Sequence, residues 1–201
     1  MVSEYYKQLF AHANGLHKMP KLDATAFLES LGCAHILYFH DDSKITKDTE
    51  FGFIQKGLEK QEHCFYTTQN PEGVLSKMKE FGIDTEGCSE FLHMVKIPEK
   101  FEDYSKMILE KVDGLPHDSQ IRVISTHYFD FNAAKKTDRM AEIEQCVEDD
   151  YHKIKGNFVC SFAVQQITNE IRGRFLNQLL DSHRAIVIQT EKDGTEVFTL
   201  P

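Results

Sequence analysis

The sequence predicts an α/β fold, a three-layer sandwich with a largely parallel central sheet that finishes in a C-terminal β-hairpin. Three observations predict it. Apolar runs of strand length alternate five times with segments of helical spacing, the pattern of βαβ units. The first clear run, Ala34-His35-Ile36-Leu37-Tyr38-Phe39, carries no formal charge and is rich in branched and aromatic types, as a strand buried on both faces requires. The last two runs flank Asp193-Gly194, a hairpin turn signal.

Taken in order, residues 3–18 place Tyr6, Leu9, Phe10 and Leu16 at helical spacing and predict a short amphipathic helix outside the core. Asp23 is positioned to cap a second helix over 24–31, stopped by Gly32. The strand at 34–39 follows, then a polar loop, then a helix over 46–60 whose Phe51, Phe53, Ile54 and Leu58 cover one sheet face. The second strand is 63–67. Asn70-Pro71 opens the next helix, with proline allowed in the first turn, and Gly82 closes it. A third strand at 91–97 stops at Pro98, and a helix follows over 101–112. The fourth strand, 121–126, leads to His127, Tyr128 and Asp130. A long acidic helix is expected through Met140, Ile143, Val147 and Ile154, a fifth strand over 158–162, and a strong helix from Ile167 to Leu180. Residues 185–189 and 196–200 form the hairpin. One domain fits the 201 residues: a helical extension to about residue 30, a core over 30–190 and the hairpin over 184–201.

Composition limits the function classes. A formal charge of −9 opposes a nucleic-acid surface, which needs a basic stripe, and equally opposes anionic membranes. No apolar run approaches the roughly 18 residues of a spanning helix, and residues 1–16 lack the apolar core of a signal peptide. Cys33, Cys64, Cys88, Cys146 and Cys160 show no paired metal spacing. Cys33, Cys64 and Cys160 lie in or beside apparent core strands, so they read as reduced packing thiols of a cytoplasmic protein.

The loop after the first strand discriminates among activities. A phosphate cradle needs the glycines and lysine of GxxxxGK[ST]. Here the loop is His40-Asp41-Asp42-Ser43-Lys44-Ile45, with two carboxylates and no glycine. GxGxxG and GxSxG are absent too, which opposes a dinucleotide fingerprint and a hydrolase elbow. Loops at the carboxyl ends of parallel strands form the ligand crevice. The candidate contacts are therefore His40, Asp41 and Asp42 after the first strand, Thr67 and Thr68 after the second, His127 after the fourth and Gln165 after the fifth. For the first three the alternative is a solvated loop whose Asp42 or Ser43 caps the next helix, and for the threonines, ordinary turn residues. Asp149 and His152, one turn apart, read as a surface pair.

An ordered series of segments resembles the MEDS domain, the sensory domain named from methanogens, methylotrophs and a dichloromethane-responsive repressor. The segments are His35-Ile36-Leu37-Tyr38-Phe39-His40-Asp41-Asp42, Phe53-Ile54-Gln55-Lys56-Gly57-Leu58-Glu59-Lys60 and Glu62-His63-Cys64-Phe65-Tyr66-Thr67-Thr68. Phe81-Gly82-Ile83-Asp84, Ile121-Arg122-Val123-Ile124, Phe158-Val159-Cys160-Ser161-Phe162 and Leu179-Leu180-Asp181-Ser182-His183 follow in the expected order. The resemblance implies a RecA/KaiC-like fold without a P-loop and a role in sensing small organic molecules. Together with the missing phosphate loop it implies a non-catalytic protein, and no cofactor is expected. His127 and Asp130 with Asp41 or Asp42 offer a metal reading, but without close ligand spacing no metal is expected. The chain departs from common family architecture in carrying no recognisable helix-turn-helix or kinase module, so output is expected through a signalling partner protein or a homodimer. Residues 5–16 and the edge of the strand at 196–200 are the expected dimer contacts, the alternative being that both cap the monomer's own core. The rival reading is a divergent nucleotide-binding ATPase or a metal-assisted hydrolase using His and Asp groups at the strand ends.

Overall fold

The computed structural model describes residues 17–18, 23–41, 43–97, 104–127, 151, 153–154, 156–163, 179–191 and 194–199. Eight strands form one sheet: β1 (His17–Lys18), β2 (His35–His40), β3 (His63–Thr68), β4 (Leu92–Lys96), β5 (Ile121–His127), β6 (Gly156–Ala163), β7 (Ala185–Thr190) and β8 (Gly194–Thr199). Their spatial order is β1-β8-β7-β2-β6-β5-β3-β4. The six strands from β7 to β4 run parallel, and β8 runs antiparallel to both β7 and β1. The strand carrying the uncharged run is central, because β2 pairs with β7 on one side and β6 on the other, and all six of its residues are buried.

Four helices are described: α1 (Ala24–Ser30), α2 (Lys44–Glu59), α3 (Pro71–Phe81) and α4 (Tyr104–Asp113). Strand alternation sends successive side chains to opposite faces, and each face has its own core. Ile36 and Tyr38 of β2 pack with Phe27 and Leu28 of α1, Phe53 and Ile54 of α2 and Met78 of α3. Leu37 and Phe39 pack on the other face with Ile108 of α4, Ile154 and Leu179. Two helical layers thus enclose the sheet, as the sequence predicts.

Local chemistry sets the boundaries. Asp23 Oδ1 accepts from the amides of Thr25 and Ala26 at 2.8 and 3.2 Å, capping α1. Asn70 Oδ1 accepts from the Gly73 amide at 3.0 Å, Pro71 occupies the first turn of α3, and Gly82 closes it in the left-handed region at φ +106°. Arg122 of β5 joins the layers. It ion-pairs with Glu29 of α1 and with Glu62, donates to the Phe53 carbonyl at 2.9 Å, and lies over the Phe53 ring.

Three expectations are corrected. The end of the segment read as a helix over 3–18 is strand: His17 and Lys18 pair with Thr199 and Phe198. An open edge strand is a template for pairing, and β1 satisfies β8 at those two positions, where the free edge was expected. Cys33 is exposed in the turn between α1 and β2 rather than packed in the core. The helix over 46–60 begins two residues earlier, at Lys44. Most of the helices expected over 140–154 and 167–180 falls outside the described residues, as do Asp149 and His152. Among the described residues no helix is long and apolar enough to cross a membrane.

One pH dependence arises here. The His93 imidazole of β4 stacks on Phe65, and its Nε2 lies 3.0 Å from His63 Nδ1. Burial, then the neighbouring His63 and Lys111, push its pKa from 6.5 down to about 4. The unfolded chain therefore takes up this proton before the folded one does. The stability involved is fully present above pH 6.5 and is lost as pH falls toward 4. At this half-buried site, with solvent screening allowed for, the loss is about 1–2 kcal/mol. Urea titrations at pH 7.5 and pH 4.5 should show it, and His93→Phe, which preserves the stack, should flatten that limb.

Candidate functional site

A P-loop would have to wrap a phosphate between β2 and α2. Only residues 41–43 lie between His40, the end of β2, and Lys44, the start of α2. Three residues without glycine cannot form the cradle of amides that phosphate requires. Asp41 is committed elsewhere. Its Oδ1 accepts from the Ser43 amide at 3.2 Å, and its Oδ2 accepts from the Glu191 amide at 2.7 Å, tying this loop to the turn between β7 and β8. Burial works against that carboxylate, but the hydrogen bonds from Ser43 and Glu191 outweigh it and hold its pKa below the ordinary value.

Beneath the loop the strand ends are closed by a buried polar network. Glu50 of α2 is fully buried, and Lys47 Nζ reaches its Oε2 at 3.0 Å. The hydroxyls of Tyr66 on β3 and Ser161 on β6 each donate to the Glu50 carboxylate at 2.5 Å. His40 Nε2 stands 4.0 Å from Oε1. Burial opposes the Glu50 charge, but Lys47, then His40, then the Ser161 and Tyr66 hydroxyls more than offset it, and the carboxyl is held below its usual range. Beside it, Tyr38 of β2 donates to Gln189 Oε1 on β7, which also accepts from Thr49 Oγ1 at 2.9 Å. Burial, then the nearby Glu50 charge, pushes the Tyr38 phenol up, keeping it protonated. Among the described residues, these polar side chains hydrogen-bond to one another over the ends of β2, β6 and β7.

Among the described residues, open space lies one step along the sheet. A cleft runs between α2 and α3 at the carboxyl ends of β3 and β5. Its inner lobe, about 310 Å³, is lined by Lys47, Phe51, Tyr66, Thr68, Asn70, Val74, Lys77 and Thr126 among others. The only formal charges among those lining residues are the ammonium groups of Lys47 and Lys77. An outer lobe of about 400 Å³ shares Lys47, Phe51 and Lys77 and adds Lys44, Asp48, Glu80 and Phe81 at the rim. An apolar wall of Phe51 and Val74, two cations and several hydroxyl and amide groups suit a small organic anion.

The sequence-predicted residues distribute as follows. Thr68 lines the cleft. Thr67 is buried, and its carbonyl accepts from Thr126 Oγ1 at 2.6 Å, which orients a cleft residue. His40 faces Glu50, and Asp41 anchors the loop. His127 ends β5, paired in the sheet opposite Phe162. Asp42 and Gln165 lie outside the described residues. Sequence reading missed Lys47, Glu50, Phe51 as a cleft wall, and Lys77. Glu50 had a legible signal, since Thr46, Glu50, Phe53, Ile54 and Gly57 share one helical stripe and all are buried.

Comparison with solved structures settles the architecture. A KaiC-like protein from the hyperthermophilic archaeon Pyrococcus horikoshii OT3 aligns with a TM-score of 0.62 at 12% identity, covering 83% of this chain and 76% of that one. The chain has a RecA/KaiC-like fold. At that identity the likeness speaks for the fold alone. No protein-family model and no curated protein sequence matches the chain.

Proposed function

We propose that this RecA/KaiC-like domain is a non-catalytic sensory protein of the MEDS type that binds a small organic anion in the cleft between α2 and α3. The observation that supports the reading is the pairing of two features: a three-residue, glycine-free β2–α2 loop where a phosphate cradle would lie, and an intact cationic cleft beside it. Lys47 connects the two. It lines both lobes of the cleft and also pairs with the buried Glu50, so an anion that draws on this ammonium perturbs the network joining α2 to β2, β3 and β6. That coupling is the sensory element of the reading, and a homodimer or a partner protein carries its output.

A thermal-shift screen of small organic acids, alcohols and nucleotides tests it. Organic anions should raise the melting temperature, and Mg-ATP should leave it unchanged. Val74→Trp, which fills the inner lobe, should abolish the shifts, and Lys77→Glu should weaken binding by roughly 10-fold or more through charge reversal. Shifts that persist unchanged in Val74→Trp would contradict the site. Light scattering at tens of micromolar, with and without a shifting anion, tests the dimer; a monomeric mass in both would contradict that output route.

A further inference from the structure

At the opposite end of β2 from the cleft, three residues far apart in sequence meet. His35 opens β2, Cys160 lies within β6, and His183 lies two residues before β7. One ligand-capable atom of each lies within 4.8 Å of the other two, and all three residues are buried. We propose that they form a three-coordinate copper(I) site through His35 Nε2, His183 Nε2 and Cys160 Sγ.

The hydrogen bonds set the tautomers. His35 Nδ1 lies 2.9 Å from the Ser182 carbonyl, and His183 Nδ1 lies 2.5 Å from the Leu179 carbonyl. A carbonyl only accepts, so each Nδ1 carries the proton and each Nε2 carries the lone pair. This is the arrangement that fixes ligating histidines in metal sites, the far nitrogen donating to a backbone carbonyl. His35 Nε2 in turn stands 3.2 Å from Cys160 Sγ, where the thiol proton bridges them until a metal replaces it. On binding, the S–H bond breaks, the sulfur–metal bond forms, and one proton leaves to solvent.

Charge and ligand number select the ion. Thiolate is a soft donor that suits copper(I), and imidazole also binds copper. One thiolate and two neutral imidazoles neutralise a monovalent ion completely. A zinc ion would leave one net positive charge among Phe158, Tyr151 and the sheet, and burying a net charge is costly. Zinc also favours a fourth ligand, and among the described residues the cluster contains no fourth His, Cys, Asp or Glu.

Because the site is enclosed, loading belongs to folding. The full chain is unfolded and refolded without oxygen in the presence of copper(I) supplied as its bicinchoninate complex, and separately with zinc. The expected result is one copper retained per chain, a raised melting temperature, and X-ray absorption fine structure showing two nitrogen scatterers and one sulfur. Cys160→Ser, nearly isosteric, should lower copper(I) affinity by at least about 100-fold, the upper end of what loss of an outer-shell partner alone produces. No retained copper, copper without a sulfur scatterer, equal retention by a folded Cys160→Ser chain, or stoichiometric zinc in preference to copper would each overturn the site. If Cys160→Ser does not fold, the absorption spectrum of the wild-type chain still decides.

Discussion

Glu50→Ala should lower the unfolding free energy by about 3–5 kcal/mol in a urea titration, the range for removing one partner from a buried ionic pair. The substitution takes the acceptor from the Lys47 ammonium and from the Tyr66 and Ser161 hydroxyls at once. Glu50→Gln preserves the volume and one acceptor and should cost roughly half as much. The two variants also separate charge from packing by pH. The Glu50 carboxyl titrates below its usual 4.5, so the unfolded chain protonates it first as pH falls. Its contribution is present above pH 4.5 and is lost below it. That limb should be missing from Glu50→Gln and should remain distinct from the His93 limb, which starts near pH 6.5. A loss under 1 kcal/mol for Glu50→Ala would mean that the network does not hold the strand ends together.

Gly156→Ala carries the second large effect. Gly156 opens β6 opposite Ile121 of β5, and a Cβ built there overlaps the Ile121 carbonyl. The obstacle is backbone, so only parting the two parallel strands relieves it, and β5–β6 lies in the middle of the sheet. A cost of about 4 kcal/mol or more is expected, in the exceptional class for a single methyl group. Gly57→Ala provides the contrast. Its Cβ would meet Cys64 Sγ at 2.5 Å and Arg122 Cδ at 2.6 Å, side-chain rather than backbone atoms. Its cost should stay near 1–3 kcal/mol, as for ordinary overpacking. Equal losses for the two glycines, measured by the same titration, would contradict the strand register.

The contrast between fold and site follows from what sequence patterns encode. β2 and β6 are legible because burial on both faces demands uninterrupted apolar runs. The hairpin of β7 and β8 is legible because its turn is short and Gly194 adopts φ +74°. β1 is illegible: two residues, His17 and Lys18, carry no period of their own and gain strand geometry only from β8. The cleft is legible at Thr68, a strand end. It is not legible at Lys47 and Lys77, which read as ordinary solvent-facing lysines until α2 and α3 pack side by side. His35, Cys160 and His183 likewise share no local spacing, and only the β2–β6 and β2–β7 pairings bring them together. Glu50 was hidden by its charge, although its phase on α2 places it inward.

Titration calorimetry on the full chain tests the central claim most directly, with Mg-ATP in one series and the organic anion giving the largest thermal shift in the other, each against Val74→Trp. The account predicts no Mg-ATP binding tighter than about 1 mM, equivalent to about −4 kcal/mol, and one-to-one binding of the organic anion that disappears in Val74→Trp. Mg-ATP binding in the micromolar range, unaffected by Val74→Trp, would contradict it.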